Sequence, residues 1–285
     1  MFVESNKLND FKAYFHAQLN DVCEAREIDN LYYWVAEHYF GLNRIEVNRG
    51  DKRLSESEML SLRGVVKRLA LNEPIQYILG ETEFYNCNIL VNSSVLIPRP
   101  ETEELVDLVI HKVNPQSKIL DIGTGSGCIP IALKKHMPKA SMSAIDIDPN
   151  AIQLAKKSAE LNHVEIDFYQ LDILIDQLND FKDLDVIISN PPYVLELDKA
   201  EMGMNVLEFE PHLALFVPDH KPLMFYQRIA LLASQKLVKG GLLFFEIHED
   251  FGVEMTEMLN ELGFIDILIQ KDMQNKDRMM IAKLP

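Results

Sequence analysis

The stretch DIGTGSGCI, residues 121–129, places Gly123, Gly125 and Gly127 directly after a short apolar run. Glycines at a strand-to-helix turn permit positive φ and let the backbone come close to a ligand. A tight turn without any ligand explains the same glycines, because short glycine motifs have low specificity. The spacing GxGxG, in place of GxGxxG, provides no obvious pyrophosphate cradle. The stretch therefore predicts a strand–turn–helix unit and a candidate ligand loop.

Strands and helices alternate from residue 117 to the end of the chain, and the glycine stretch lies in the first such pair. This alternation is typical of a parallel sheet covered by helices. The last two predicted strands lie close together, which favours an antiparallel hairpin at one sheet edge. We therefore predict an α/β fold with a Rossmann-like, seven-stranded sheet. Its strands are SKILDIG, ASMSAIDI, EIDFYQLD, LDVIISN, GGLLFFEIH, FIDILIQ and MMIAKL.

The first third of the chain has a different pattern, which divides the sequence into three parts. Apolar residues recur every three or four positions in residues 1–75 and predict a small N-terminal helical bundle, with a capping box at Ser55 and Glu58. Residues 76–98 contain β-branched and aromatic residues between Gly and Asn, and predict a β-hairpin linker. Residues 99–285 form the α/β domain. Three large apolar side chains are interpreted as packing residues: Trp34, Met202 and Met204.

The composition of the 285-residue chain restricts its partners. It has 28 Lys and Arg against 44 Asp and Glu, which gives a formal net charge of -16. Binding of a long phosphate backbone depends on counterion release by Lys and Arg. The composition therefore disfavours direct nucleic-acid binding and favours a protein or a small molecule as the partner.

Targeting segments and metal-binding patterns are missing from the sequence. The first residues lack the basic and apolar regions of a signal peptide, and no apolar run approaches the roughly 18 residues of a membrane span. Cys23, Cys87 and Cys128 are isolated, with no CxxC pair and no Cys/His spacing suited to zinc. These features predict a cytoplasmic protein without a membrane segment or a metal site.

Acidic residues follow the predicted strands where a nucleoside is expected to bind. Asp146 ends the second strand about twenty residues after the loop, where an acid accepts hydrogen bonds from ribose hydroxyls. Asp148 competes for this role, but it precedes Pro149 and fits a helix N-cap. Asp172 ends the third strand and is either an acceptor for an adenine amino group or a cap. Asp121 can serve as a structural acceptor for loop amides. The pattern predicts an adenosine-bearing ligand over the carboxyl ends of the strands.

The stretch IISNPPYV, residues 187–194, ends another predicted strand at the same sheet edge. The Asn190 side-chain oxygen can accept one N–H of a planar amide or amine, and the Pro191 carbonyl can accept the second. Pro191 and Pro192 make the backbone rigid, and Tyr193 offers a face for stacking. A rigid loop after a strand is the alternative. The motif favours a site for an –NH₂ on an sp² centre, whose weakly nucleophilic nitrogen needs orientation more than a strong base.

These residues resemble the class I S-adenosylmethionine-dependent methyltransferases that modify amino groups of amides and bases. The segments NEPIQYILGETEF, VLIPRPETEELV, DIGTGSGCI and SNPPYV are similar to those of the peptide chain release factor N(5)-glutamine methyltransferase family. The resemblance covers roughly residues 70–285, and the N-terminal helices match only in kind. It implies methyl transfer from S-adenosyl-L-methionine to the amide nitrogen of the Gly-Gly-Gln glutamine of a release factor, in support of translation termination.

The resemblance also implies roles for individual residues. The implied catalytic residues are those that hold the glutamine, namely Asn190, Pro191, Pro192 and Tyr193. The N-terminal bundle is expected to dock the release factor. The family has an aromatic residue where this chain has Ile173, and the loop after Glu210 and Pro211 is not glycine-rich here. The implied cofactor-binding residues are Gly123, Thr124, Gly125, Ser126, Gly127, Asp146, Asp172, Ile173 and Asn190.

The segment PRPETE leaves two interpretations open. Arg99 and Glu101 are substrate-binding residues if they, with Thr102, shape the mouth of the site over the methyl group and the incoming glutamine. Alternatively, Pro100–Thr102 starts a helix with an acidic residue in its first turn. The sequence supports both interpretations.

Three other functions are compatible with parts of the sequence. A DNA amino-methyltransferase uses the same Asn-Pro-Pro-Tyr chemistry, but it needs a basic cleft that this acidic chain does not indicate. Glutamine methylation of a ribosomal protein is closer, although the RPETE segment favours a release factor. A non-catalytic adaptor that binds a nucleotide and a protein is disfavoured by the intact Asn-Pro-Pro-Tyr motif.

Overall fold

The computed structural model describes residues 5–285. The chain separates into two compact units. The first comprises the chain up to Gly80 together with Gly203–Phe209, and the second comprises Glu81–Met202 and Glu210–Pro285. Among the described residues, no helix has both the length and the apolar character needed to cross a membrane.

The first unit is built from helices, which confirms the predicted helical character of the N-terminal region. Before Gly80 they are α1 (Leu8–Leu19), α2 (Ala25–Phe40), α3 (Arg44–Arg49), α4 (Glu56–Leu69) and α5 (Ile75–Leu79). The predicted capping box is confirmed, since Glu58 N–H donates to the Ser55 hydroxyl and Ser55 N–H donates to the Glu58 carboxylate. Phe11, Phe15 and Tyr32 are fully buried and pack edge to face in the centre of the unit.

The interpretation of Trp34 and Met204 as packing residues is wrong, because their side chains are 37% and 57% exposed. At about 100° per residue, Trp34 lies nearly opposite Tyr32, which is on the buried face of α2. Met204 begins a short helix that has no buried residue. Met202 is half-buried.

A β-hairpin opens the second unit. Strands β1 (Glu81–Phe84) and β2 (Cys87–Leu90) pair antiparallel, and both turn residues, Tyr85 and Asn86, have positive φ. That geometry is the two-residue turn that matches the twist of paired strands. Residues 76–79, predicted as part of the hairpin segment, belong to helix α5. The reason is local, since α5 begins after Pro74 and ends at Gly80 in the left-handed region.

The seven-stranded sheet predicted from the sequence is present within residues 5–285. Its strands are β3 (Lys118–Ile122), β4 (Ser141–Asp146), β5 (Asp167–Gln170), β6 (Leu184–Ser189), β9 (Leu237–Glu246), β10 (Ile265–Lys271) and β11 (Asp277–Lys283). They lie in the order β10-β11-β9-β6-β3-β4-β5. Five neighbouring strands are parallel, and the β10–β11 pair is the predicted antiparallel hairpin at the edge.

Helices connect and cover this sheet. They are α6 (Pro100–Lys112), α7 (Cys128–His136), α8 (Pro149–Leu161), α10 (Met224–Lys236) and α11 (Gly252–Glu261), and a short parallel pair is formed by β7 (Val194–Leu195) and β8 (Phe216–Val217). Helix α9 (Met204–Phe209) belongs to the first unit. The strand order reverses at β3, which has β4 on one side and β6 on the other. In open α/β sheets, ligands bind at the carboxyl ends of strands at such a switch point.

Candidate active site

The glycine loop connects β3 to α7 and has a backbone that favours glycine. All three loop glycines have positive φ, between 52° and 80°: Gly123, Gly125 and Gly127. A Cβ on Gly127 would lie 2.9 Å from the Cβ of Ala155, so this position needs glycine for close packing as well. The N–H of Thr124 donates to the carbonyl of Ile145 at 3.0 Å. The loop is thereby held against the end of β4.

Asp146, at the carboxyl end of β4, hydrogen-bonds to the glycine loop. Its Oδ2 accepts from the N–H of Gly125 at 2.8 Å, and its Oδ1 accepts from the N–H of Asp148 at 3.0 Å. Burial raises the pKa of Asp146, and these two N–H donors oppose the rise. Each carboxylate oxygen retains capacity for a further donor. The carboxylate is therefore oriented by the loop and can still accept a ligand hydroxyl.

Asp121 is fully buried at the end of β3, beneath the loop. Burial raises the pKa of its carboxyl to about 7. The expected role as acceptor for loop amides is wrong, because no hydrogen bond reaches either carboxylate oxygen, and Asp146 accepts the loop amide instead. The nearby Thr124 hydroxyl favours the ionised form of Asp121 without completing a hydrogen bond. Asp121 is thus a buried, under-satisfied acid next to the loop.

The remaining predicted acids have roles in turns. Asp148 caps α8, since its Oδ1 accepts from the N–H of Asn150 at 2.8 Å, as predicted. Asp172 Oδ1 accepts from the N–H of Leu174 at 2.9 Å, which is the structural role weighed for it. Asp172 and Ile173 also line a cavity at the carboxyl ends of the strands. Both interpretations of Asp172 are therefore compatible with its position.

The Asn-Pro-Pro segment follows β6 at the same edge of the sheet. The Ser189 hydroxyl donates to the carbonyl of Ile122 at 2.6 Å, which links the end of β6 to the end of β3. Asn190 and both prolines then line the cavity. Tyr193 is not among the described residues that line it, and its ring packs edge-on against His248 with centroids 6.0 Å apart.

The cavity brings most of the sequence-predicted site residues together at the switch point. Three predicted residues are not among its described lining residues: Gly127, Tyr193 and Glu101. Those that line it are Arg99, Gly123, Thr124, Gly125, Ser126, Asp146, Asp172, Ile173, Asn190, Pro191 and Pro192.

A buried carboxylate that the sequence analysis did not single out lies behind Asn190. Glu246, at the end of β9, is 1% exposed and accepts from the Thr102 hydroxyl at 2.7 Å and from the Tyr193 hydroxyl at 3.0 Å. The Asn190 Nδ2 donates to Thr102 Oγ1 at 3.2 Å. The sequence contains a signal for Glu246, because this acid ends the apolar run LLFFE and the carboxyl ends of strands surround the ligand crevice in such sheets.

The PRPETE segment starts a helix, as one interpretation predicted. Helix α6 has Arg99 at its N-cap and proline at its first position. Arg99 also lines the cavity and forms an ion pair with the buried Glu210, whose other oxygen accepts from the N–H of Ile97 at 3.2 Å. The Glu101 carboxylate lies 3.5 Å from the side-chain amide of Gln274, and Thr102 lines the cavity in its place.

Family models match two parts of the chain. The model described as methyltransferase small domain matches residues 102–209, and the one described as PrmC N-terminal domain matches residues 14–80. The first match contains the glycine loop, Asp146 and Asn190. The second lies within the helical first unit.

Curated relatives cover nearly the whole chain. A release factor glutamine methyltransferase of Flavobacterium psychrophilum is 42% identical over 280 residues, which cover 96% of this chain and 98% of that protein. The enzyme of the same name from Bacteroides thetaiotaomicron is 42% identical over 96% of this chain and 99% of its own. The enzyme from Lactococcus lactis is 40% identical over 85% and 89%.

Solved structures support the fold. A methyltransferase from Pyrococcus furiosus superposes with a TM-score of 0.54 at 17% identity and covers 78% of this chain and 98% of that chain. A 16S rRNA N2 G1207 methyltransferase of Thermus thermophilus, in complex with AdoMet and guanosine, gives 0.52 at 15% identity and covers 72% and 50%. At these identities the likeness establishes the methyltransferase fold alone.

Proposed function

We propose methyl transfer to a glutamine side chain as the reaction of this site, because the chain belongs to the release factor glutamine methyltransferase family. The donor is S-adenosylmethionine, and the acceptor is the amide nitrogen of the Gly-Gly-Gln glutamine of a release factor. The observation that carries the proposal is the cavity itself, because the glycine loop, Asp146 and the Asn190–Pro192 segment all line it.

The cavity residues fit S-adenosylmethionine. The Asp146 carboxylate is held at a strand end with capacity for ribose hydroxyls. A Cβ on Gly123 or Gly125 would meet nothing within 4 Å, so the loop backbone is open to a ligand. Asp121 and Thr124 have buried oxygens without a hydrogen-bond partner, an arrangement that favours a cationic or donor group nearby. When bound, the cofactor supplies an electrophilic methyl group on a sulfonium centre.

Asn190 and Pro191 are the residues that orient the acceptor amide. The Asn190 oxygen accepts one hydrogen of the glutamine –NH₂, and the Pro191 carbonyl accepts the other. Both acceptors follow the buried strand β6, so they are held by its attachment to β3. Two acceptors on the –NH₂ group fix the amide plane and direct the nitrogen lone pair towards the methyl group. Transfer would form the N–CH₃ bond as the S–CH₃ bond of the sulfonium breaks and the neutral thioether leaves. The two acceptors would stabilise the positive charge that grows on nitrogen, and the nitrogen would then lose one proton to solvent.

The helical first unit is the part that docks the release factor. A release factor is a folded protein, so its recognition needs contacts beyond the glutamine loop. In helix α2 the side chains of Trp34 and Tyr39 are 37% and 42% exposed. Tryptophan and tyrosine are enriched among the interface residues that contribute most of the binding energy. The match of residues 14–80 to the PrmC N-terminal domain supports a role specific to this family.

The test uses the purified chain with isotopically labelled S-adenosylmethionine and an intact release factor. A release factor with the Gly-Gly-Gln glutamine changed to alanine is the matched control. Mass spectrometry of the products then locates the added methyl group. Label on that glutamine, and none on the alanine control, is the expected result.

Two results contradict the proposal in different ways. Label elsewhere on the release factor, or equal labelling of the alanine control, rules out the glutamine as the acceptor. Binding of the cofactor without any labelling of the release factor rules out this substrate and redirects the test to ribosomal proteins and DNA.

A further inference from the structure

A chain of hydrogen bonds runs from a buried acid to the amide that faces the substrate. It passes from Glu246 on β9 to Thr102 on α6 and ends at Asn190 after β6, with donor–acceptor distances of 2.7 and 3.2 Å. Glu246 and Thr102 are 1% and 3% exposed. Neither residue contacts the substrate amide in the proposed reaction, and buried polar groups linked in this way fix one another's orientation.

The carboxylate determines the direction of its hydrogen bonds. Oε2 of Glu246 accepts from the Thr102 hydroxyl and Oε1 accepts from the Tyr193 hydroxyl, so both hydroxyls donate to the carboxyl group. Acceptance at both oxygens is the pattern of an ionised carboxylate, which can only accept. Burial raises the pKa of Glu246, while these two donors and the positive charge of Arg278 oppose the rise and favour the ionised form. Arg278 itself forms an ion pair with Asp272 at 3.1 Å.

The direction of the hydrogen bond between Thr102 and Asn190 follows from the bond between Thr102 and Glu246. A threonine hydroxyl has one proton, and that proton is committed to Glu246. Thr102 can therefore only accept from Asn190, so the Asn190 –NH₂ group must point to Thr102. The two ends of an asparagine amide are nearly isosteric, and only their hydrogen-bond partners distinguish them. The Asn190 oxygen is consequently the atom left to face the cavity.

We propose that Thr102 and Glu246 are positioning residues that hold the Asn190 amide with its oxygen towards the substrate, so that the site selects glutamine over glutamate. This inference rests on the proposed function, in which Asn190 accepts a hydrogen bond from the glutamine –NH₂. A glutamate carboxylate has no hydrogen to donate and is disfavoured opposite an oxygen. If the Asn190 amide turned over, its –NH₂ would face the substrate and would favour the carboxylate.

The experiment measures selectivity rather than activity alone. The substrate is an intact release factor, and the competitor is the same protein with its Gly-Gly-Gln glutamine changed to glutamate. Selectivity is the inhibition constant of the glutamate protein divided by the KM of the glutamine protein. The loss of one hydrogen bond to a charged group and the gain of another correspond to a change of about tenfold or more.

Two variants distinguish the effect of the Thr102 hydroxyl from the effect of the side-chain shape at residue 102. Thr102→Val removes the hydroxyl at nearly constant volume, and we expect selectivity to fall by about tenfold with cofactor affinity unchanged. Thr102→Ser keeps the hydroxyl and should restore selectivity to within about twofold of the unmodified enzyme. Tyr226→Phe is the matched control, since its buried hydroxyl donates to the backbone carbonyl of Glu246 and not to the carboxylate.

The outcomes distinguish this inference from the proposed function. Absence of glutamine methylation by the unmodified enzyme contradicts the proposed function. An active unmodified enzyme with equal selectivity in Thr102→Val, or equal losses in Thr102→Val and Thr102→Ser, overturns the positioning role alone. A purely structural role lowers turnover without changing the ratio. If Thr102→Val does not fold, Thr102→Ala makes the same test, because it also lacks the hydroxyl.

Discussion

At the scale of single residues, the site depends on polar groups whose orientation is set by buried neighbours. Asn190 is oriented through Thr102, and Asp146 is oriented by the Gly125 and Asp148 amides. Asp121 is the contrasting case, because it is buried without a hydrogen-bond partner. These side chains therefore differ in what their removal is expected to change.

Asn190→Ala should abolish orientation of the substrate amide while leaving cofactor binding largely intact. By analogy with the loss of one preorganised hydrogen-bonding group, we expect turnover to fall by about 100-fold. The dissociation constant for S-adenosylmethionine should change by no more than about threefold, since it is set largely by the loop and Asp146. Calorimetric titration and single-turnover labelling measure the two quantities. Asn260→Ala, at an exposed position on α11, is the control. Normal turnover of Asn190→Ala contradicts the amide-holding role.

Asp121→Asn should stabilise the protein, and more so as the pH rises. The pKa of Asp121 is raised by burial to about 7 in the folded state, against an ordinary value of 3.8. Between these values the folded protein retains a proton that the unfolded chain has lost, so stability decreases with increasing pH. The asparagine variant does not titrate and avoids this loss.

Urea unfolding at pH 5 and pH 8, without added cofactor, tests the effect. The advantage of Asp121→Asn should be larger at pH 8 by roughly 2 to 3 kcal/mol. Asp250→Asn, whose side chain is 78% exposed, is the control and should show no such change. An advantage that is equal at both pH values argues against the raised pKa.

At the scale of elements, a glycine at a helix N-cap and a glycine inside a helix are expected to have opposite effects on stability when replaced by alanine. Gly127 is the N-cap of α7 with a φ of 80°, and a Cβ there would lie 2.9 Å from the Cβ of Ala155. Gly64 lies inside α4, and a Cβ there would meet nothing within 4 Å. Gly127 is required by its positive φ and its close approach to Ala155, whereas Gly64 only lowers the helix propensity of α4.

Gly64→Ala and Gly127→Ala form a matched pair for thermal or urea unfolding. Gly64→Ala should stabilise by about 0.5 to 1 kcal/mol, because alanine favours the helix. Gly127→Ala should destabilise by about 1 to 3 kcal/mol, because it combines an unfavourable φ with a steric clash. It should also weaken cofactor binding, since the loop must shift. Equal effects of the two substitutions are incompatible with this account of the loop.

At the scale of the whole molecule, the chain contains two units with separate cores. The first has the aromatic cluster of Phe11, Phe15 and Tyr32, and the second has the sheet with its covering helices. The chemistry is assigned to the second unit. The first unit is left with surfaces that suit recognition of the protein substrate.

Trp34→Ala should therefore weaken binding of the intact release factor and leave the methyl-transfer step unchanged. We expect the KM for the intact protein to rise by about tenfold, which is typical for loss of an interfacial tryptophan worth 1 to 2 kcal/mol. Turnover of a short Gly-Gly-Gln peptide and cofactor affinity should be unchanged. Steady-state labelling with both substrates makes the comparison. Val253→Ala, at a position 70% exposed in the second unit, is the control. An equal loss with peptide and protein argues against docking by α2.

Much of the fold follows from local patterns. Periodicity and strand–helix alternation predicted the seven strands, the edge hairpin and the helical N-terminal region, and all are confirmed. The exposure of Trp34 was not predicted, because hydrophobicity alone does not show which face of a helix packs inward. The helical state of residues 76–79 was missed because their β-branched and aromatic residues outweighed Pro74 and Gly80 as helix boundaries.

The elements and the two motifs of the site follow from local sequence, because glycine spacing, strand ends and Asn-Pro-Pro-Tyr are properties of neighbouring residues. The groups that complete the site are distant in sequence and come together only when the chain folds. Asn190 meets Thr102 across 88 positions, and Thr102 meets Glu246 across 144. The parallel strands β6 and β9 bring Asn190 and Glu246 to one edge of the sheet, and the first turn of α6 places Thr102 in contact with both. The orientation of Asn190 follows from that edge and from the buried carboxyl group of Glu246, which it reaches through Thr102.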